Sequence, residues 1–159
     1  MKPLDLKDSV IVFDMDGVLS KFDFGDLGIK IVPEHEWAKM NMMEDMYKYV
    51  QKTRLFDELI DTKNLMDMYV LSQTLSSFEQ NNKINFLERN YPNIREDNII
   101  FVGDTNIKID ILKGLREILD NTGKADVDLV IIEDSLSVLL DVTELNNPKI
   151  KCYMISDFI

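Results

Sequence analysis

The sequence predicts an α/β fold, a parallel sheet flanked by helices, with a small helical insert after the first strand. Three observations predict it. Val10-Ile11-Val12-Phe13 is a continuous apolar run that stops abruptly at Asp14 and Asp16, as a strand buried on both faces of a parallel sheet should. Comparable runs recur at Met68-Tyr69-Val70-Leu71, Ile99-Ile100-Phe101-Val102 and Leu129-Val130-Ile131-Ile132, each followed by polar residues and then a helical pattern. Strands alternating with helices favour parallel pairing with right-handed crossovers. The stretch between the first two runs shows no strand-like alternation.

Residues 21–32 mix Asp, Gly and isolated apolar side chains and read as a loop or short hairpin, with Asp23 and Asp26 solvated. Pro33 suits the first position of a helix. Trp37, Met40, Met43, Tyr47 and Val50 then recur at spacings of three and four, which makes one apolar stripe. A second short helix carries Leu55, Phe56, Leu59 and Ile60. A Met-rich stripe at helical spacing is read as packing, and Trp37 and Tyr47 as its core. After the Met68 strand, Ser76 to Asn90 is helical, with Phe78, Ile84, Phe86 and Leu87 as apolar positions, and Tyr91-Pro92 stops it. Ile107 to Leu119 is helical and ends near Gly123. A helix through Leu136 to Leu140 follows the Leu129 strand, and Lys151 to Ile155 makes the last strand.

At 159 residues the chain is long enough for one domain with a real core. Its net charge of −11 argues against binding long nucleic acid by counterion release. A small phosphorylated substrate stays compatible, because a metal ion and one well-placed Lys reverse the sign locally. Cys152 is the single cysteine and cannot form an internal disulfide; it reads as a buried small hydrophobe in a reducing compartment. No apolar run approaches the roughly 18 residues of a membrane-spanning helix, and residues 1–9 lack a signal-peptide core. A cytoplasmic protein without a membrane partner is expected. His35, the only histidine, has no His or Cys neighbour in the sequence and is not read as a zinc ligand.

Ligands of open α/β sheets bind outside the carboxyl ends of the strands. Asp14, Ser72, Asp104 and Glu133-Asp134 each follow a predicted strand and so converge on that edge. Carboxylates as close as Asp14 and Asp16 repel each other unless a cation holds them or one keeps its proton. Asp14-Met15-Asp16-Gly17-Val18-Leu19 after a strand, Ser72 at the end of the next, a Lys, and the acidic pair Glu133-Asp134 resemble the four motifs of the haloacid dehalogenase superfamily of phosphohydrolases. The resemblance covers Val10 to Ile155.

It implies a Rossmann-like core over 1–17 and 68–159, with 18–67 as a small helical cap and flap. It further implies Mg²⁺ as cofactor and hydrolysis of a phosphomonoester through an aspartyl-phosphate. Asp14 would be the nucleophile and Asp16 the general acid and base. Ser72 and Lys108 would bind phosphate. Asp14, the Asp16 backbone carbonyl and Asp134 would hold the metal, with Glu133 reaching it through water. Lys83, on the helix after Ser72, is the alternative lysine. Choosing it makes Gly103-Asp104-Thr105 the acidic motif, but Lys108 then stands where a second acid belongs. Lys108 starts a helix, where the dipole also favours an anion, and is the better match. Lys108 before an acidic-pair strand, Lys83 with Phe86-Leu87 on the earlier helix, and the insert after the first strand are similar to the 5′(3′)-deoxyribonucleotidase branch. That likeness points to a nucleoside monophosphate. Three other readings compete: a catalytically silent phosphate or nucleotide sensor on the same fold, a phosphoryl-accepting receiver domain, and carbon–halogen hydrolysis, which would have no need of Asp16 as a proton donor.

Overall fold

Strands β1 (Val10–Phe13), β2 (Met68–Gln73), β3 (Ile99–Val102), β4 (Leu129–Glu133) and β5 (Ile150–Met154) form one parallel sheet in the spatial order β3-β2-β1-β4-β5. The structure, a computed structural model, describes residues 6–21 and 34–159. The loop expected over 21–32, with Asp23 and Asp26, therefore lies outside the described residues except for Lys21, and so does Pro33. All five predicted strands form, flanked by helices on both faces.

The pleat divides the core into two layers, because successive side chains on a strand point to opposite faces. Ile11, Phe13, Met68, Val70, Val130 and Ile132 belong to one cluster, with Phe86 and Leu87 of α3 (Ser77–Asn90). Val10, Val12, Leu71, Leu129 and Ile131 belong to the other, with α4 (Lys108–Asn121) and α5 (Leu136–Glu144). β1 lies between β2 and β4 and is buried along its whole length. Burial on both faces is why its sequence is an unbroken apolar run rather than an alternating one.

The insert carries α1 (Glu34–Met43) and α2 (Asp57–Thr62). Its buried apolar residues, Trp37, Met46, Tyr47, Val50, Phe56 and Ile60, all join the cluster on the α3 face. Its first part leaves and returns through a short antiparallel bridge: Thr53 N donates to Leu19 O at 2.9 Å and Lys21 N donates to Gln51 O at 2.9 Å. Buried Tyr91, just after α3, has its hydroxyl 2.8 Å from the carbonyls of both Leu19 and Thr53.

The insert departs from its predicted form. The stripe from Trp37 to Val50 is not one helix: α1 ends at Met43, and Met46–Lys48 is a separate 3-10 turn. Glu44 and Asp45 fall where the helix C-terminus would want cations, and the Asp45 side chain instead caps the new turn by accepting from Tyr47 N at 3.0 Å. Met43 is consequently exposed, as are Leu55, which precedes α2, and Phe78 on α3. The last strand starts at Ile150 and hands over at Ile155 to a 3-10 turn ending at Phe158. α5 runs on to Glu144, with Leu136 and Leu140 exposed. Cys152 is half-buried rather than fully buried, and burial pushes its thiol up to about 12.

Candidate active site

The crevice between β1 and β4 is where the strand order reverses direction from the chain's start, the usual ligand position in an open α/β sheet. The β1–β4 register pairs Phe13 with Ile132, and Asp14 N donates to Ile132 O at 2.9 Å. Asp14 and Glu133, one residue further on each strand, thus share the face opposite Phe13, the face that α4 covers. Lys108, at the first turn of α4, reaches both: Nζ is 3.0 Å from Asp14 Oδ1 and 2.7 Å from Glu133 Oε1. All three side chains are buried.

Ser72 has the parity of Val70 and faces the other way, towards α3. Lys83 of α3, completely buried, donates to Ser72 Oγ at 2.8 Å and to Gln73 O at 2.7 Å. It also lies 3.2 Å from Asp16 Oδ2. The two candidate lysines are therefore not substitutes for each other. The pleat assigns Lys108 to Asp14 and Glu133, and Lys83 to Ser72; Asp16 meets Lys83 because it stands on the loop beyond β1, outside the pleat. Neither lysine lies on a solvated helix face.

Asp16 stands on the loop beyond β1, where Met15 O accepts from the amides of Val18, Leu19 and Ser20. Gly17 takes φ 81°, a left-handed conformation that a side chain would strain. Asp16 Oδ1 accepts from the Tyr47 hydroxyl at 2.7 Å and from Ser20 Oγ at 3.3 Å. Nothing in the sequence singles out Tyr47 for this contact beyond one signal. A tyrosine on an apolar stripe carries a hydroxyl that burial obliges to find a partner. Burial first, and then the charge of Asp16, raise the Tyr47 phenol well above its ordinary value, so it is a donor and stays one.

Asp14, Glu133 and Asp134 offer carboxylate oxygens that all lie within 4.8 Å of one another. Glu133 is fully buried, with Oε2 accepting from the amides of Asp134 and Ser135 at 3.2 and 3.3 Å, while Asp134 is the solvent-facing member. Burial, and then the charge of Asp14, push Glu133 up to about 7 against the opposing pull of Lys108. Desolvation of its carboxyl and then Asp14 push Asp134 up to about 8. Burial alone would lower Lys108, but Asp14 and Glu133 outweigh it and raise it. This cluster relieves its own repulsion by holding protons, and an all-oxygen donor set of this kind suits a hard divalent cation.

Asp104 also ends a strand, but it is exposed and its carboxylate accepts from Asn106 N at 2.9 Å, capping the 3-10 turn Thr105–Ile107 that leads into α4. His35 is exposed. No helix among the described residues is long and apolar enough to cross a membrane.

No protein-family model matches the chain, and no curated protein matches it either.

Proposed function

We propose that the chain is a Mg²⁺-dependent phosphohydrolase of the haloacid dehalogenase type, acting on a small phosphomonoester, with nucleoside monophosphates as the first substrate class to try. The observation that carries the reading is that Asp14 and Asp16, two positions apart, are held by different partners. Asp14 sits in the buried acid cluster with Lys108, and Asp16 sits apart with Lys83 and Tyr47. Pairs of carboxyl groups divided in this way are suited to different roles in one reaction. The strand order supports the reading over the receiver-domain rival, since receivers have the flavodoxin-like order 2-1-3-4-5 and this sheet runs β3-β2-β1-β4-β5.

In this mechanism the Asp14 carboxylate attacks phosphorus and forms an acyl phosphate, dividing one hard displacement into two easier ones. Asp16 gives its proton to the departing alcohol and then takes one from the incoming water. Lys108 keeps Asp14 oriented and, with Ser72 and Lys83, faces the phosphoryl oxygens with fixed donors. Asp14, Asp134 and the Asp16 backbone carbonyl would hold Mg²⁺, and Glu133, already engaged by Lys108 and two backbone amides, would act one step removed from it. When bound, the ion would neutralise the facing carboxylates and draw charge from the phosphoryl group.

The test is phosphate release from p-nitrophenyl phosphate and a panel of nucleoside monophosphates, with and without Mg²⁺, beside Asp14→Asn. Mg²⁺-dependent turnover that Asp14→Asn abolishes is the expected result. An unchanged rate in that variant removes the nucleophile, and silence across the panel by a protein that still binds Mg²⁺ favours the sensor.

A further inference from the structure

We infer that Tyr47 is a positioning residue through which the insert orients the Asp16 carboxyl, so that proton transfer to the leaving group depends on the insert being docked against α3. The inference rests on the phosphohydrolase reading and adds to it a residue from outside the sheet.

The strand ends hold Asp14 directly, but they do not hold Asp16. Its loop contributes one long contact, from Ser20 Oγ at 3.3 Å. Among the described residues its other two partners come from elsewhere, Lys83 from α3 and Tyr47 from the insert. They differ in kind. The Lys83 ammonium, though fixed in place by Ser72 and Gln73, is a point charge and constrains the direction of a carboxyl weakly. A phenol hydroxyl at 2.7 Å from Oδ1, on a ring that is 1% exposed, fixes both the oxygen it meets and the plane of the carboxyl.

The ring itself is held from both sides of the docked surface. Its edge contacts are Trp37 of α1 at 5.7 Å and Phe86 of α3 at 6.0 Å between centroids. Its backbone nitrogen is accepted by Asp45, and its carbonyl accepts from Arg89 of α3 at 3.3 Å. Movement of the insert off α3 would carry the hydroxyl away and leave Lys83 as the main partner of Asp16. Lys83 is also bonded to Ser72, so it would draw the carboxyl towards the phosphate-binding side and away from the bridging oxygen.

The role is exerted on one proton transfer. As the Asp14–phosphorus bond forms and the bond to the bridging oxygen breaks, that oxygen takes the Asp16 proton and leaves as the alcohol. The resulting Asp16 carboxylate then takes a proton from water as the water oxygen attacks the acyl phosphate, releasing inorganic phosphate and restoring Asp14. Tyr47 donates to Oδ1 throughout and neither gains nor loses a proton.

Leaving-group dependence tests this, because kcat/KM reports steps only through formation of the acyl phosphate. Tyr47→Phe keeps the ring and its packing. With alkyl phosphates it should lower kcat/KM by about tenfold or more, a share of the roughly 10²–10⁴-fold that positioned acid–base groups contribute. With p-nitrophenyl phosphate, whose leaving group needs little protonation, the loss should stay under about threefold. Asp16→Asn should show the same pattern more strongly. An equal loss on both substrates would mean a merely structural tyrosine and would overturn the role. A double-mutant cycle of Tyr47→Phe and Asp16→Ala in thermal melts, the second variant removing the acceptor, needs no activity at all. Additive melts would overturn the contact. Coupled melts in a protein that hydrolyses neither substrate would overturn the phosphohydrolase reading, and the positioning role with it.

Discussion

Glu133 carries a raised pKa of about 7 from burial and the facing Asp14, and Asp134, exposed as a residue, one of about 8 from desolvation of its carboxyl end and then the charge of Asp14, against ordinary values of 4.5 and 3.8. Between the ordinary and the raised values the folded protein binds more protons than the unfolded chain. The contribution of these two groups to metal-free stability is therefore full below about pH 4 and is lost progressively as pH rises to about 8. In EDTA the Tm should be lower at about pH 8.5 than at about pH 5.5, by roughly several degrees. Excess Mg²⁺ should remove most of the difference by taking over from the protons. Asp134→Asn should raise the alkaline EDTA melt and blunt the Mg²⁺ response, and a melt in EDTA that climbs with pH would contradict the electrostatics of the cluster. Part of this site was legible from single residues: a strand end is an unambiguous location, and Asp14, Ser72 and Glu133 were readable as such. The lysines were not. A helical Lys has the same sequence context whether it faces water or a buried carboxylate, and only the strand parity of Asp14 and Ser72, with the turn of the chain after β1, shows that Lys108 and Lys83 serve different acids.

Among the elements, the strands were the most legible, because burial on both faces writes the continuous apolar runs of β1 and β4, and short runs bounded by polar residues mark the others. β1 and β3 match their predicted limits, and β2 and β4 differ only by extending into Ser72-Gln73 and Glu133. The insert was less legible. Its apolar residues do reach one core, but through a helix, a 3-10 turn and a second helix, so spacing alone could not show that the chain breaks at Glu44-Asp45. The bridge that closes the first part of the insert depends on Tyr91 from outside it. Tyr91→Phe removes a hydrogen bond from buried carbonyls and should cost about 1–2 kcal/mol in urea unfolding, while leaving the sheet's circular dichroism intact. At the start of α3, Ser76 Oγ accepts from Glu79 N at 3.1 Å and Glu79 returns a bond to Leu75 N at 3.0 Å, a capping box shifted by one residue.

For the molecule as a whole, the shared cluster on the α3 face bears on cooperativity. Phe13 of β1 meets Phe56 of the insert at 5.5 Å between ring centroids, and the buried side chains of the insert belong to that cluster. Calorimetry of the metal-free protein should give one transition. A separate, earlier transition would mean that the insert has stability of its own. The same arrangement has a different meaning for how such a chain can change over generations. The first stretch of the insert leaves and returns through two adjacent backbone segments, Leu19–Lys21 and Gln51–Thr53, tied by backbone bonds and by one tyrosine. For the sheet, these two tie points enclose a single excursion of the chain, and length gained or lost inside it leaves the strand register untouched. Inherited variation can therefore accumulate between the tie points while Asp14 and Ser72 keep their places at the strand ends, provided that some hydroxyl still returns to Asp16.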